Sequence, residues 1–218
     1  MTEPDYLSTT RDSYDTVAVD YEELLRAELQ TKPLDRAMLA AFAELVSGPV
    51  ADLGCGPGRV TAHLHSLGLD AFGIDLSPRM IAVARERHQG LRFEVGSMNA
   101  LDLAEGSLGG AIAWYSIIHT PPELLPVLFA EFHRVLAPGG HILLAFKAGD
   151  ERRQLAHAYG HDLALDVYWL PLDQVVGLAR RAGLVEVARL LREPEEHEAG
   201  PQGFLLARKP QRSVECGA

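Results

Sequence analysis

Residues 49–58 have the sequence PVADLGCGPG, in which a short apolar run leads directly into three alternating glycines. Glycine adopts backbone φ angles that are closed to other residues, and it lets a ligand approach the chain closely. The segment therefore predicts a buried strand over 49–53 that ends in a ligand-binding turn. The alternative is a tight turn that binds nothing, which the acid at Asp52 and the regular glycine spacing disfavour.

Strand and helix patterns alternate on both sides of this segment, which is typical of the α/β class. Strands are predicted over 49–53, 69–74, 91–95, 108–115, 141–146, 184–191 and 203–208, and helices over 59–67, 78–88, 123–136 and 172–182. This order predicts a single three-layer, doubly wound sheet that is mostly parallel and has helices on both faces. The last two strands follow each other without a helix, so we expect an antiparallel edge strand.

Composition and charge narrow the classes of partner. The 218 residues suffice for one domain with its own core, and the net charge is −10. An acidic surface repels phosphate backbones and anionic lipid, so neither nucleic acid nor a membrane is predicted as a partner. The polar N-terminal stretch and a cysteine pair unsuited to a disulfide framework, Cys55 and Cys216, predict a cytoplasmic location. Arginine outnumbers lysine 17 to 3, which indicates a bacterial source.

The glycine spacing distinguishes between the ligands that such a turn can hold. A dinucleotide fingerprint has the order G-x-G-x-x-G, whereas here Arg59 directly follows Gly58 and the third glycine comes one position early. A Walker loop would need Gly-Lys-Ser or Gly-Lys-Thr, which is not found here. The order D-x-G-x-G-x-G at Asp52, Gly54, Gly56 and Gly58 resembles motif I of class I S-adenosylmethionine-dependent methyltransferases. That resemblance implies a loop around the methionine portion of S-adenosylmethionine, with the acid helping to anchor its ammonium group.

Asp75 closes the second predicted strand, about 20 residues after the glycine loop. An acid at this place can accept hydrogen bonds from both ribose hydroxyls of a nucleoside. NAD enzymes share this feature, and a favourable charge at a helix N-terminus is a further alternative. The family resemblance implies further cofactor contacts from residues that follow the second, third and fourth strands, namely Leu76, Met80, Ser97, Met98 and Ser116. Ser97 stands where the family commonly has Asp, so a weaker contact with the adenine is expected there.

The N-terminal segment Tyr14-Asp15-x-x-Ala18-x-x-Tyr21 resembles the family's helix that closes over the cofactor. Tyr14 and Tyr21 lie seven residues apart and hence on one helical face, so both are predicted to contact the cofactor. Core packing is the alternative for both rings. The predicted organisation is a helical cap over 1–48, a methyltransferase core over 49–209 and a tail over 210–218.

His119 is the candidate general base, because it follows the fourth strand and has an unperturbed pKa near physiological pH. The alternative is a histidine that caps a helix or bonds a carbonyl group. A general base is needed only if the acceptor must lose a proton during methyl transfer. The segment 114–120 that contains His119 is expected beside the place where the methyl group would sit, so His119 is also predicted to touch the acceptor.

An insertion at about 149–171 is predicted to form a lid over the acceptor. Its aromatic and imidazole side chains could shape a pocket for a small molecule, and the candidates are His157, Tyr159, His161, Tyr168 and Trp169. His157 and His161 have a spacing that could bind a metal on one helix face. Gly160 argues against a regular helix there, and no metal is predicted.

The sequence thus predicts S-adenosylmethionine-dependent methyl transfer to a small-molecule acceptor at oxygen, nitrogen or carbon. Two alternatives stay open at this point. A non-catalytic module could bind S-adenosylmethionine through the same motifs without turning it over. A nicotinamide-dependent oxidoreductase is the other alternative, and the missing third glycine of its fingerprint disfavours it.

Overall fold

The computed structural model describes residues 4–211, and a seven-stranded sheet forms its centre. The strands are β1 (Pro49–Leu53), β2 (Asp70–Asp75), β3 (Arg92–Val95), β4 (Leu108–Trp114), β5 (Leu136–Lys147), β6 (Glu151–Ala158), β7 (His161–Trp169), β8 (Val185–Arg192) and β9 (Gln202–Arg208). The order in the large sheet is β3-β2-β1-β4-β5-β9-β8, and β6 pairs with β7 in a separate two-stranded sheet.

The predicted fold class is confirmed by the strand directions. Strands β1 to β5 are parallel, while β9 runs antiparallel to both β5 and β8. The strand order reverses between β1 and β4, so the chain leaves these two neighbouring strands in opposite directions. A crevice opens at the carboxyl ends of strands at such a point, and ligands of α/β proteins bind there.

Helices cover both faces of the sheet and give the three predicted layers. They are α1 (Asp5–Leu25), α2 (Pro33–Leu45), α3 (Arg59–Ser66), α4 (Pro78–Arg87), α5 (Leu125–Val135) and α6 (Leu172–Arg181). Successive residues of β5 point to opposite faces, so Leu144 packs with Phe129 and Phe132 of α5, and Leu143 packs with Phe42 of α2. All five side chains are fully buried.

Local signals place α4 where the ligand crevice needs it. The Ser77 hydroxyl accepts a hydrogen bond of 3.0 Å from the Met80 amide, and Pro78 occupies the first helical position. Asp15 of α1 accepts a hydrogen bond of 3.0 Å from the Arg79 amide, and α1 also packs against β7. The N-terminal helix is therefore held over the carboxyl ends of the central strands.

Two predicted boundaries differ from the structure around β5. The helix predicted over 123–136 begins at Leu125, because Pro122–Leu124 forms a separate 3₁₀ turn. The strand predicted over 141–146 begins five residues earlier, at Leu136. Leu136 pairs with Leu108 of β4, and the residues after it pair with Lys209 next to β9, since the Gly139 amide donates to the Lys209 carbonyl at 2.9 Å and the Lys209 amide donates to the Gly140 carbonyl at 2.8 Å.

The predicted lid insertion at about 149–171 is a β-hairpin made of β6 and β7. Ala158 pairs with His161 across a two-residue turn, in which Tyr159 has φ 54° and Gly160 has φ 81°. Two successive residues with positive φ are typical of the turn that matches the twist of a hairpin. The hairpin lies beside α1 and over the end of β5, and its Tyr159 and Leu163 pack with the buried Val17 and Ala18 of that helix.

The predicted tail over 210–218 falls outside the described residues from position 212 onward, and Cys216 with it. Among the helices of residues 4–211, none combines the length and the apolar character that crossing a membrane requires.

Candidate active site

A cavity of about 750 Å³, open to solvent, lies at the carboxyl ends of β1, β2 and β4 and below α1. We call it the larger cavity. Eleven of the predicted site residues line it: Tyr14, Tyr21, Gly54, Gly56, Asp75, Leu76, Met80, Ser97, Met98, Ser116 and His119. The fold thus brings residues from five separate segments of the chain together around one cavity.

A smaller cavity of about 270 Å³ adjoins the first on the α3 side of the sheet, and Asp52, Arg59 and Trp114 line it. The Asp52 side chain is fully buried. Its Oδ2 accepts a hydrogen bond of 2.7 Å from the Thr61 hydroxyl, whereas Oδ1 has no hydrogen-bond partner among the described residues. Burial raises the pKa of Asp52 to about 6, against the lowering effect of the Thr61 contact. The arrangement leaves one acceptor oxygen for a ligand.

The glycine loop has the backbone that its sequence predicts. Gly54, Gly56 and Gly58 have φ angles of 75°, 54° and 84°. A Cβ atom at Gly54 would lie 2.3 Å from the Cβ of Ser116, so the loop and the end of β4 approach as closely as glycine allows. Gly58 is not part of either cavity wall in the described structure, and a Cβ there would meet the Phe93 ring at 2.6 Å. The structure thus places Gly58 in the packing behind the loop.

Asp75 joins the end of β2 to the glycine loop. Its Oδ2 accepts a hydrogen bond of 2.8 Å from the Gly56 amide, and its Oδ1 accepts one of 2.8 Å from the Ser77 amide. Burial raises the pKa of Asp75 to about 6, although both amide hydrogen bonds favour the charged form. Each carboxylate oxygen can accept a second hydrogen bond, so the side chain can still bind the hydroxyl groups of a ligand.

His119 lies buried between α1 and the hairpin. Its Nδ1 is 2.8 Å from the Asp166 carbonyl oxygen, and its Nε2 is 2.7 Å from the Tyr14 hydroxyl. A carbonyl oxygen only accepts, so Nδ1 carries the proton and Nε2 accepts a hydrogen bond from Tyr14. Burial lowers the pKa of His119 to about 4. The imidazole is therefore neutral at pH 7, and its single lone pair is already used by Tyr14.

Sequence reasoning missed the part of the larger cavity that α1 forms with Asn99. Tyr6, Leu7, Thr10 and Arg11 line the wall, and the Asn99 side-chain amide donates to the Tyr6 hydroxyl. Leu7, Tyr14 and Tyr21 are spaced by seven residues, so the period that pairs the two tyrosines also indicates Leu7. Asn99 is part of no motif or periodic pattern, so its place in the wall of the cavity could not be predicted from the sequence.

The five candidates from the predicted lid lie elsewhere in the described structure, outside both cavity walls. Tyr159 packs edge-on against Tyr21 with ring centroids 5.0 Å apart, and His161 Nε2 lies 2.7 Å from Asp20 Oδ2. His157 is exposed and contacts the side chain of Asp162. The hairpin directs Tyr159 and His161 toward α1 and His157 toward solvent.

The two remaining aromatic candidates belong to the base of the hairpin. Trp169 is buried in the hydrophobic core, and Tyr168 lies beneath the Arg152 guanidinium, 6.0 Å from the ring centroid. No cluster of three or more His, Cys, Asp or Glu side chains that could hold a metal ion occurs within residues 4–211. His157 and His161 thus lie on the two strands of a hairpin and not on one face of a helix.

Fold and site together define an α/β protein built to bind a nucleoside cofactor at the end of β1 and β2. Comparison with known proteins agrees with this class of protein. Residues 50–140 match the family model described as a methyltransferase domain. A malonyl-[acyl-carrier protein] O-methyltransferase of Pectobacterium atrosepticum is 31% identical over 135 residues, covering 61% of this chain and 51% of the relative. A trans-aconitate 2-methyltransferase of Sinorhizobium medicae is 36% identical over 138 residues, covering 62% and 51%.

Solved structures agree with the fold. The magnesium protoporphyrin IX methyltransferase of Synechocystis, crystallised with S-adenosylmethionine, has a TM-score of 0.73 at 16% identity and covers 96% of this chain and 99% of its own. The chain spans about half the length of the curated relatives that it matches. Residues 50–140 of this chain are therefore similar to methyltransferase domains, and its fold is that of the class I S-adenosylmethionine-dependent methyltransferases.

Proposed function

We propose that the protein transfers a methyl group from S-adenosylmethionine to a small-molecule acceptor. Two carboxylates carry the proposal, because the partly buried Asp75 lines the larger cavity and the fully buried Asp52 lines the smaller one. Ribose hydroxyls would donate to Asp75, and the ammonium group of an amino acid would donate to Asp52. The buried, unpartnered Oδ1 of Asp52 fits such a cation, so the residues present fit this cofactor.

The remaining contacts follow from the wall of the larger cavity. Leu76 and Met80 would flank the adenine, while Ser97 and Met98 would meet its edge. Tyr14 and Tyr21 would cover the cofactor from α1, which together with the rest of residues 1–48 serves as the proposed cap. A cytoplasmic location of the enzyme is part of this proposal.

When bound, S-adenosylmethionine supplies an electrophilic methyl group. The protein must align the acceptor with that group and keep water out, which is a matter of positioning rather than of covalent catalysis. Tyr6, Thr10 and Arg11 of α1 and Thr120 after β4 line the part of the cavity that the cofactor contacts do not use. We assign the acceptor to this part of the cavity, under α1, instead of to the hairpin.

A carboxylate is the acceptor class that we favour. His119 is neutral, and its lone pair is engaged by Tyr14, so the imidazole is poorly placed to remove a proton from an acceptor. A carboxylate is already ionised at pH 7 and needs no base. Hydroxyl and guanidinium donors in the wall suit an oxygen anion. The names of two relatives, which act on a malonyl group and on trans-aconitate, support a carboxyl-bearing acceptor.

His119 then acts as a positioning residue. Its imidazole fixes the Tyr14 hydroxyl at the mouth of the cavity, and the Asp166 carbonyl fixes the imidazole in turn. An acceptor that must lose a proton could pass it to Nε2 only through Tyr14. The carboxylate proposal removes the need for that step.

Parallel calorimetric titrations with S-adenosylmethionine, S-adenosylhomocysteine and NAD test the cofactor. We expect micromolar binding of both adenosyl compounds and no binding of NAD. Binding of NAD alone would support the oxidoreductase alternative and overturn the proposal.

The acceptor is tested with methyl-tritiated S-adenosylmethionine and a small-molecule extract of bacterial cells. Methyl esters release methanol in mild alkali, whereas N-methyl, C-methyl and ether products do not. Volatile label after alkali therefore supports a carboxylate acceptor, and alkali-stable label contradicts it. Cofactor binding without any transfer would favour the non-catalytic alternative.

A further inference from the structure

Trp114, the last residue of β4, lines both the larger and the smaller cavity. Only 5% of the residue is exposed, and its indole Nε1 is buried with no hydrogen-bond partner in the described part of the chain. The ring is held from two sides by Tyr115, at 5.9 Å and perpendicular, and by Phe204, at 5.6 Å between centroids. A large side chain thus keeps a hydrogen-bond donor in a fixed place beside the site.

The sheet places this donor next to Asp52. Asp52 pairs in register with Ile112 of β4, and Trp114 is two residues further along the same strand. Residues two apart on a strand point to the same face, so Trp114 and Asp52 share the face that α3 covers. One buried donor and one buried acceptor, the Nε1 of Trp114 and the Oδ1 of Asp52, are both without partners there.

Buried polar groups without hydrogen bonds are uncommon, because leaving such a group unpaired costs free energy. The indole nitrogen only donates, so its partner must be an acceptor; an ionised Asp52 only accepts, so its partner must be a donor. A zwitterionic amino acid has both groups on one carbon atom. Arg59 also lines this cavity, but its guanidinium is already engaged, because Nη1 lies 2.7 Å from Glu28 Oε2 and the side chain is hydrogen-bonded to Tyr21.

We propose that Trp114 is a cofactor-positioning residue whose indole N–H donates to the α-carboxylate at the amino-acid end of S-adenosylmethionine, while Asp52 accepts from the ammonium group. The proposal rests on the proposed function for its ligand. Trp114 would add a contact that the glycine motif does not contain. The motif supplies an acid, Asp52, for the ammonium group, but no side chain for the carboxylate.

The test compares two ligands that differ only in the carboxylate, S-adenosylmethionine and its decarboxylated form. Calorimetry gives the ratio of their affinities for the wild-type protein and for the Trp114→Phe variant. A hydrogen bond to a charged group corresponds to a roughly tenfold change in affinity. We therefore expect Trp114→Phe to weaken S-adenosylmethionine about tenfold and to leave the decarboxylated ligand within about twofold. Trp169→Phe, which removes the other tryptophan, should leave both affinities unchanged.

A second variant separates the hydrogen bond from the packing of the ring. In the Trp169→Phe background, a tryptophan auxotroph can incorporate β-(3-benzothienyl)alanine at position 114, which keeps the shape of indole and replaces N–H by sulfur. The same loss of carboxylate discrimination is expected. An unchanged ratio in either variant, or an equal loss for both ligands, would overturn the proposal. If the wild-type protein binds neither ligand, the proposed function itself fails, which is a distinct result.

Discussion

The hydroxyl of Tyr14 lies 2.7 Å from Nε2 of His119, although 105 positions separate the two residues in the chain. The rings also meet nearly at right angles, with centroids 5.3 Å apart. Because His119 Nδ1 bonds the Asp166 carbonyl, the contact joins α1, the end of β4 and the hairpin at one point. The imidazole is thus one of the groups that tie α1 to the core, together with Asp15, which accepts from the Arg79 amide.

We expect His119→Ala to lower turnover about tenfold to a hundredfold while cofactor affinity stays within about threefold. The substitution removes the imidazole nitrogen that accepts the hydrogen bond from the Tyr14 hydroxyl. A misplaced Tyr14 should disturb the alignment of the substrate with the methyl group more than it weakens binding of the cofactor. Steady-state kinetics with an acceptor from the extract and calorimetry with S-adenosylhomocysteine measure the two quantities. Unchanged turnover would show that His119 has no part in catalysis.

Tyr14→Phe provides the matched control for that variant. If His119 acts through Tyr14, the two single variants should lose similar activity, and the double variant should lose no more than either. A base that works independently of Tyr14 would instead give losses that multiply. It would also give a pH profile for the wild-type enzyme that disappears in His119→Ala.

Asp75→Ala should abolish cofactor binding while the protein remains folded. The carboxylate accepts the amides of Gly56 and Ser77, so its loss also leaves two donors of the glycine loop and of α4 without a partner. A destabilisation of about 1–3 kcal/mol is expected from such unpaired groups. Calorimetry and thermal unfolding measure the two effects.

The control for Asp75→Ala is Asp70→Ala, at the exposed first residue of the same strand. It should leave both cofactor affinity and the free energy of unfolding close to wild type. Wild-type affinity in Asp75→Ala would remove the assignment of this acid to the ribose. Equal losses of affinity in both variants would indicate a general effect on β2.

The residues that could be predicted from the sequence are those whose place is set by local geometry. Asp52 and Asp75 end parallel strands, and the carboxyl ends of such strands meet at one edge of the sheet. Ser77 with Pro78 begins α4 by a hydrogen bond within one turn. Tyr14 and Tyr21 are seven residues apart, so they share one helical face wherever the helix begins and ends. Spacing along the chain determines each of these relationships.

Relationships that depend on how distant segments pack could not be predicted in the same way. The hairpin residues were expected at the acceptor, but the hairpin packs against α1, where Tyr159 contacts Tyr21 and His161 contacts Asp20. A local signal for the strand did exist, since Leu163, Leu165 and Val167 alternate with polar or small residues. The part of the cavity that we propose for the acceptor is lined instead by α1, which packs against α4 and β7.

Cofactor affinity should fall as the pH drops below about 6. Burial raises the pKa of both Asp52 and Asp75 to about 6, against an ordinary value near 4. Both acids must be ionised to accept from the ammonium and ribose groups, so protonation competes with binding. The dissociation constant should be at least about tenfold larger at pH 5 than at pH 8. Proton release on binding near pH 6, measured by calorimetry in two buffers of different ionisation enthalpy, tests the mechanism directly.

The same raised pKa values have the opposite effect on the free energy of unfolding. Each acid binds protons more tightly in the folded state, so its contribution to stability is present below the unfolded pKa and is lost as the pH rises through about 6. His119, whose pKa is lowered to about 4 by burial, contributes in the other direction between pH 4 and 6.5. Because these contributions to the free energy of unfolding oppose each other, the pH dependence of cofactor binding is the better test of the pKa values of Asp52 and Asp75. Asp52→Asn should reduce the proton release, and a pH-independent affinity would contradict the assignment of both acids.

Gly54→Ala should prevent cofactor binding and destabilise the protein by more than its backbone strain alone. A residue other than glycine at φ 75° costs about 1–2 kcal/mol, and the added Cβ would also lie 2.3 Å from the Cβ of Ser116. Gly48→Ala is the matched control, because Gly48 has φ 84° but nothing within 4 Å of the added atom. Chemical unfolding should therefore show a loss of about 1–2 kcal/mol for Gly48→Ala and a larger loss for Gly54→Ala. Only the second variant should lose affinity for S-adenosylhomocysteine, and equal behaviour of the two would mean that the close approach of the loop to β4 is not required.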